Sequence, residues 1–211
     1  MVEKVRLRYR KKGLIRFISH RDLLRLLHRM IKRAGIPVAF SGGYSPHMKV
    51  SLGLSLAVGW ESEEEIADIS LVEDMQTEVV LEKLLLSAPE GVIPYSVEIK
   101  DENTPKIISG LKTVNYLIKH TSQNNFSEKC KKAFSRLAKR NNLEENECFD
   151  SELSFSDWIE NWRIDNESVF LELRIIRGMS FSPLKMLQGI TGELLESLRQ
   201  VHVIRISQNY N

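Results

Sequence analysis

The stretch VEKVRLRYRKKGLIRFISHRDLLRLLHRMIKRAG, residues 2–35, decides the fold, because two different hydrophobic periods succeed one another in it. From Val2 to Arg10, the apolar Val5, Leu7 and Tyr9 alternate with Lys4, Arg6, Arg8 and Arg10, which predicts a strand with its bases on one sheet face. Lys11-Lys12-Gly13 turns the chain. Ser19 with Asp22 three residues on has the form of a helix N-cap, and Gly35 stands where a C′ residue stops a helix. Between them Leu23, Leu24, Leu27, Met30, Ile31 and Ala34 make a core-facing stripe. Arg21, Arg25, Arg29 and Arg33 recur at every fourth position on another side, with Lys32 beside them, so the helix carries a cationic ridge.

Outward from this stretch the pattern continues with Pro37–Phe40 as a short strand, running into the glycine-rich loop Ser41-Gly-Gly-Tyr-Ser-Pro-His-Met-Lys49. Leu52–Val58 and Ile66–Val72 read as strands, separated by Gly59-Trp60 and an acidic Glu61–Glu65 turn. Thr77–Ser87 is expected as a helix and Ile93–Ile99 as a strand. The polar stretch 101–110, with its proline, is the best boundary in the chain. Beyond it, strands are expected at Leu111–Lys119, near Phe149–Trp158, at Val169–Ile176 and at Val201–Ile206. Helices are expected at Ser127–Arg140, Pro183–Gln188 and Glu193–Leu198. The element order of the first half returns in the second. The expected fold is therefore α+β, with tandem ferredoxin-like (βαββαβ) halves built on antiparallel sheets: residues 1–100, a linker at 101–110, and residues 111–211.

Charge is distributed unevenly along this framework. The first fifty residues carry thirteen Lys and Arg against two acids, whereas residues 61–110 carry thirteen acids against three Lys, although the whole chain sums to only +2. Such asymmetry focuses field at one surface and attracts polyanions there, even though basic residues on a helix are ordinarily a solvated face. The acids Glu61–Glu65 read as a solvated turn or as an opposing surface in an intermolecular contact.

Several classes are disfavoured. No run approaches the roughly 18 apolar residues of a membrane span, and the first residues lack the apolar core of a secretory signal, so a cytoplasmic protein with no membrane association is expected. Cys130 and Cys148 are the only cysteines; without CxxC spacing they cannot supply a four-thiolate metal site or a three-cysteine iron–sulfur motif. Cys130 falls on an apolar helical stripe with Phe134 and Leu137, which suits a buried thiol. His120 and His202 stand apart from other ligand types, so neither a metal nor another cofactor is expected. Walker, GxSxG, HExxH and kinase signatures are absent.

The loop 41–49 is the sharpest local signal. Gly42 and Gly43 let backbone N–H groups approach a ligand, while Tyr44, His47 and Lys49 add a stacking ring, an imidazole and a cation. A plain glycine turn explains the segment alone; directly after an arginine-ridged helix, nucleotide binding explains it better. His20, at the helix start beside Arg21 and Asp22, suits capping or phosphate contact, or alternatively general-base work on a ribose hydroxyl. His28 is expected to border the core.

The run Arg6-Leu-Arg-Tyr9, Gly13, Arg16-Phe-Ile-Ser-His-Arg-Asp22, Arg29, and Pro37 through Ser41-Gly-Gly-Tyr-Ser-Pro-His47, then Ser51-Leu-Gly-Leu-Ser-Leu-Ala57, resembles the uncharacterised radical SAM-linked protein family. His20, Asp22, Gly42, Gly43, Tyr44, Pro46 and His47 match its pattern as residues. The resemblance implies a companion of radical S-adenosylmethionine, cobalamin-type proteins: an accessory module of a radical enzyme that modifies RNA, tRNA or rRNA, with no catalytic residues to carry over. A more distant similarity is to ferredoxin-like CRISPR repeat-processing endoribonucleases, whose glycine-rich loop lies near the C-terminus rather than after the second strand.

Together these readings lead to an RNA-binding, non-catalytic partner of a radical SAM protein. Arg16, Arg21, Arg25, Arg29 and Lys32 would meet phosphates, and Gly42, Gly43, Tyr44, His47 and Lys49 would hold a nucleotide. Two alternatives stay open. One is a metal-independent endoribonuclease with His20 or His47 as base, and Lys49 or Arg16 at the cyclising phosphate; the other is a protein-interaction adaptor.

Overall fold

In the computed structural model, residues 4–101, 106–120, 126–139, 153–165, 167–192 and 201–210 are described. Within them the fold is mixed α+β with antiparallel strand pairing, and the chain divides into two units after Gly110.

The first unit comprises β1 (Lys4–Lys11), a 3-10 turn (Gly13–Phe17), α1 (His20–Arg33), β2 (Val50–Leu52), β3 (Glu61–Ser70), α2 (Thr77–Ser87) and β4 (Val92–Lys100). Its strands lie in the order β4-β1-β3-β2, every pair antiparallel. Alternation in β1 buries Val5, Leu7 and Tyr9 completely against Leu23, Leu27, Met30 and Ile31 of α1 and Val80 and Leu84 of α2. Each such aliphatic burial stabilises by about 1.5–3 kcal/mol, so this face sets the seat of α1 on the sheet.

Both ends of α1 are closed locally. The Ser19 hydroxyl accepts the Asp22 N–H at 3.1 Å. At the other end Gly35, with φ of 62°, sends its N–H to Lys32 O, and Ile36 N–H returns to Ile31 O, a Schellman pair.

Four sequence expectations are corrected here. Pro37–Phe40 forms no ladder; it makes single bridges, Val38 to Leu71 and Phe40 to Met48. The strand expected over Leu52–Val58 lies earlier, at Val50–Leu52. Beyond Gly53 the donors turn to other work, Trp60 N–H going to Ala57 O and Gly59 N–H to Arg16 O. The acids Glu61–Glu65 form no turn but begin β3, because the bases of the neighbouring strand compensate them. The fourth lies in the second unit, where the segment expected as a strand ending at Trp158 is helical over Phe155–Trp158, while residues 149–152 fall outside the described residues.

One close backbone approach ties the 3-10 turn to β4. Lys12 N–H donates to Gly91 O at 2.9 Å, and a Cβ on Gly91 would stand 2.4 Å from Lys12 O and 2.9 Å from the Ile15 side chain.

The second unit comprises β5 (Leu111–His120), α3 (Phe126–Lys139), α4 (Phe155–Trp158), β6 (Ile159–Ile164), β7 (Ser168–Ile176), β8 (Met179–Ser180), α5 (Pro183–Thr191) and β9 (Val201–Tyr210). Its strands run β9-β5-β7-β6, with β8 on β7. Ser154 starts α4: its N–H donates to the Asp157 carboxylate at 2.7 Å and its hydroxyl donates to the same carboxylate at 2.9 Å. Val114, Ile118, Leu171, Leu173, Met186 and Val203 are buried in this unit, as is the Cys130 side chain. Phe134 meets Trp162 at 4.9 Å between centroids, and Trp158 meets Phe181 at 5.6 Å. Cys148 and the helix expected at Glu193–Leu198 lie outside the described residues.

Candidate nucleic-acid interface

The cations of the first fifty residues separate into two populations. On β1 and just after it, Arg6, Arg8, Arg10 and Lys12 are committed to acids of the same unit. Arg6 grips Asp68 through two bonds of 2.7 and 2.9 Å, Arg8 pairs with Glu64 and Glu98, and Arg10 and Lys12 share Glu63. Lys11 is buried and donates to Ile18 O at 3.5 Å. A third partner joins this face: the guanidinium of Arg10 lies 5.3 Å from the Tyr95 ring centroid. Burial first, and then the Glu64 carboxylate, hold the Tyr95 phenol above its ordinary value of 10.0.

The second population is the α1 ridge. Arg21, Arg25, Arg29, Lys32 and Arg33 are all exposed. Arg25 pairs with Asp22 one turn back at 3.0 Å, and Arg33 donates to Ser87 O at 2.8 Å, at the C-terminal end of α2. Hydrogen bonding from the Ser19 hydroxyl, then from Arg25, holds the Asp22 carboxyl below its usual 3.8. Among the described residues, Arg29 and Lys32 stand without an acid within ion-pair distance. Their charge is available to an external anion.

The loop after the bridge residue Phe40 is closed by its own ends. Ser41 N–H donates to His47 O at 2.9 Å, His47 N–H returns to Ser41 Oγ at 3.1 Å, and that same hydroxyl lies 2.9 Å from His47 Nδ1. Next to this clasp, Lys49 N–H donates to Ala39 O and Ala39 N–H to Ser70 O, fastening the loop base to β3. Gly43, at φ of 101°, allows the tight return. Tyr44 projects at the tip with 107% relative exposure, and Gly42, His47 and Lys49 are exposed with it.

His28 is half-buried on α1; burial, and secondly the nearby charge of His47, push its pKa below the ordinary 6.5. The end of the loop is seated on the core that α1 covers, Met48 packing against the cluster that holds Leu27, Met30 and Ile31. His20 is exposed at the first residue of α1.

Arg16 belongs to a separate cluster. It pairs with Glu61 at 3.5 Å, and its guanidinium lies 4.8 Å from the centroid of Phe17. Sequence reasoning passed over two things here. The run of acids in β3, Glu63, Glu64 and Asp68 among them, complements the alternating bases of β1, and the match of the two charges was the available signal. Exposed Phe17 and Phe40 had no such signal, since nothing local distinguishes a surface aromatic from a buried one.

Among the described residues no helix is long and apolar enough to cross a membrane, and no three His, Cys, Asp or Glu side chains gather in a way that could hold a metal ion.

The chain belongs to the family described as an uncharacterised protein conserved in bacteria, DUF2344, whose pattern matches residues 4–176. No curated protein matches it. Among solved structures it is similar to an unknown protein from Galdieria sulphuraria, at 10% identity and a TM-score of 0.29 over 99% of each chain.

Proposed function

We propose that this chain is an RNA-binding module without catalytic activity of its own, working beside a radical S-adenosylmethionine enzyme in RNA modification. The observation that carries the RNA reading is the unneutralised pair Arg29 and Lys32 on α1, together with the clasped, exposed loop of Tyr44 and His47, whose end packs on the core that α1 covers. Guanidinium and ammonium groups with no internal acid are what a phosphate backbone requires, and a projecting ring suits an unstacked base. The partnership with a radical enzyme rests on the resemblance of residues 6–57 alone.

The same proposal takes the two units as tandem ferredoxin-like halves. Supporting it, the strand orders β4-β1-β3-β2 and β9-β5-β7-β6 place the first strand of each unit between the last and the third.

Binding of labelled single-stranded RNA, measured by anisotropy across a salt series, tests the reading. Every phosphate of a single strand that is deprived of its cation should flatten the log–log salt slope by about 0.7, so Arg29→Ala with Lys32→Ala should flatten it by about 1.4. An unchanged slope and affinity would remove α1 from the interface.

A further inference from the structure

Beside the N-terminus of α1 lies an aromatic surface that no part of the cationic reading uses. Phe17, at the end of the 3-10 turn, is 55% exposed, and Leu14 of the same turn is 86% exposed. So much exposed apolar side chain on one short turn is unusual unless it meets a ligand. The ring is also held. Glu61 accepts from Arg16 at 3.5 Å and from the Gly13 N–H at 2.9 Å, so one carboxylate fixes both ends of the turn. Gly59 N–H donates to Arg16 O at 2.8 Å, bringing the turn before β3 against it. The Arg16 guanidinium lies over the Phe17 ring, 4.8 Å from its centroid.

A flat ring stacked on one side by a cation and more than half open to solvent has the chemistry of a platform for another flat, apolar-faced group. Three residues further on, His20 and Arg21 begin the cationic helix. We infer that Phe17, backed by Arg16 on its turn beside α1, is a stacking site for an unpaired nucleobase of single-stranded RNA. This rests on the RNA-binding reading above and adds to it the ligand group: a splayed base rather than a duplex. The guanidinium–ring contact makes the platform cationic as well as flat, which favours a base whose phosphate runs on towards α1.

The test uses the full chain and two probes of equal length, a short labelled oligoadenylate and the same backbone carrying abasic riboses. Wild type should bind the oligoadenylate more tightly. Phe17→Ala should weaken that binding by about 5- to 150-fold, the range for removal of one stack, with the salt slope and the abasic affinity unchanged. Phe17→Trp should retain wild-type affinity, and its indole emission should be quenched by oligoadenylate and not by the abasic strand. Because the ring is more than half exposed, the alanine variant should keep the wild-type circular dichroism and melting point. If Phe17→Ala binds oligoadenylate as wild type does, the stacking site is wrong and the patch returns to contact with a protein. If wild type binds neither probe, the RNA reading itself falls and the stacking site falls with it.

Discussion

Ser41 and His47 clasp each other three times: through the serine hydroxyl and imidazole Nδ1 at 2.9 Å, through the His47 N–H to that hydroxyl at 3.1 Å, and through the Ser41 N–H to His47 O at 2.9 Å. The five residues between them are thus presented as one preshaped loop, with Tyr44 at the tip. A loop ordered before binding spares the complex that ordering entropy.

Ser41→Ala should release the two hydroxyl bonds while leaving the backbone bridge. The expected cost to stability is about 0.5–1.5 kcal/mol in urea unfolding, and RNA affinity should drop about 3- to 10-fold as the loop loosens. A variant that loses stability and keeps full affinity would take the loop out of the interface.

The acids of β3 should differ sharply in weight. Asp68→Ala removes two hydrogen bonds to the nearly buried Arg6 guanidinium, and losing hydrogen bonds to a charged group should cost about 1.5–3 kcal/mol. Glu63→Ala breaks only half-exposed pairs with Arg10 and Lys12 and should cost under about 1 kcal/mol. Urea midpoints of the two variants compare them directly; equal losses would contradict the distinction between buried and solvated charge.

His28 should make stability depend on pH. Its folded pKa lies below the unfolded 6.5, so the unfolded chain binds the proton more readily. The contribution is therefore fully present above pH 6.5 and is lost as pH falls from 6.5 through the folded pKa, where both states carry the proton. Melting temperatures measured from about pH 7.5 down to about pH 5 should fall, and His28→Gln should reduce that slope. An identical slope in the variant would move the effect elsewhere.

Gly91→Ala should cost about 2–3 kcal/mol, within the range of steric damage at a close backbone contact. The added Cβ would stand 2.4 Å from a backbone oxygen, which has no rotamer to move into. Thermal unfolding reads this directly, and a melting point within error of wild type would mean that the turn yields at no cost.

Incubation with RNA in EDTA should leave the strand intact. Cleavage by the wild-type chain, abolished by His47→Ala or His20→Ala, would replace the binding module with a metal-independent endoribonuclease. Gel analysis of the RNA decides between the two.

Elements whose causes are local could be read from the chain. Helix α1 was legible because Ser19, the Leu23-to-Ile31 stripe and Gly35 act within single turns, and α2 for its apolar face. The short helix α4 also had a local signature, Ser154 with Asp157, which the strand expected near Phe149–Trp158 overrode. The start of β3 had none. Glu61–Glu65 are poor strand formers by themselves, and what sustains them as a strand is cross-strand pairing with bases more than forty residues earlier.

The amino-acid sequence by itself determined which faces of β1 and α1 are apolar, where the helix stops, and that cations gather early in the chain, because all three follow from periods and caps within a few residues. Only the tertiary structure decided which cations remain available. Strand pairing brings the acids of β3 and β4 onto Arg6, Arg8, Arg10 and Lys12, while α1, carried on the helical layer with its own Asp22 as the sole acid in its first turn, keeps Arg29 and Lys32 for solvent. A charge is neutralised by what folding sets within a few ångströms of it, and sequence distance carries no measure of that separation.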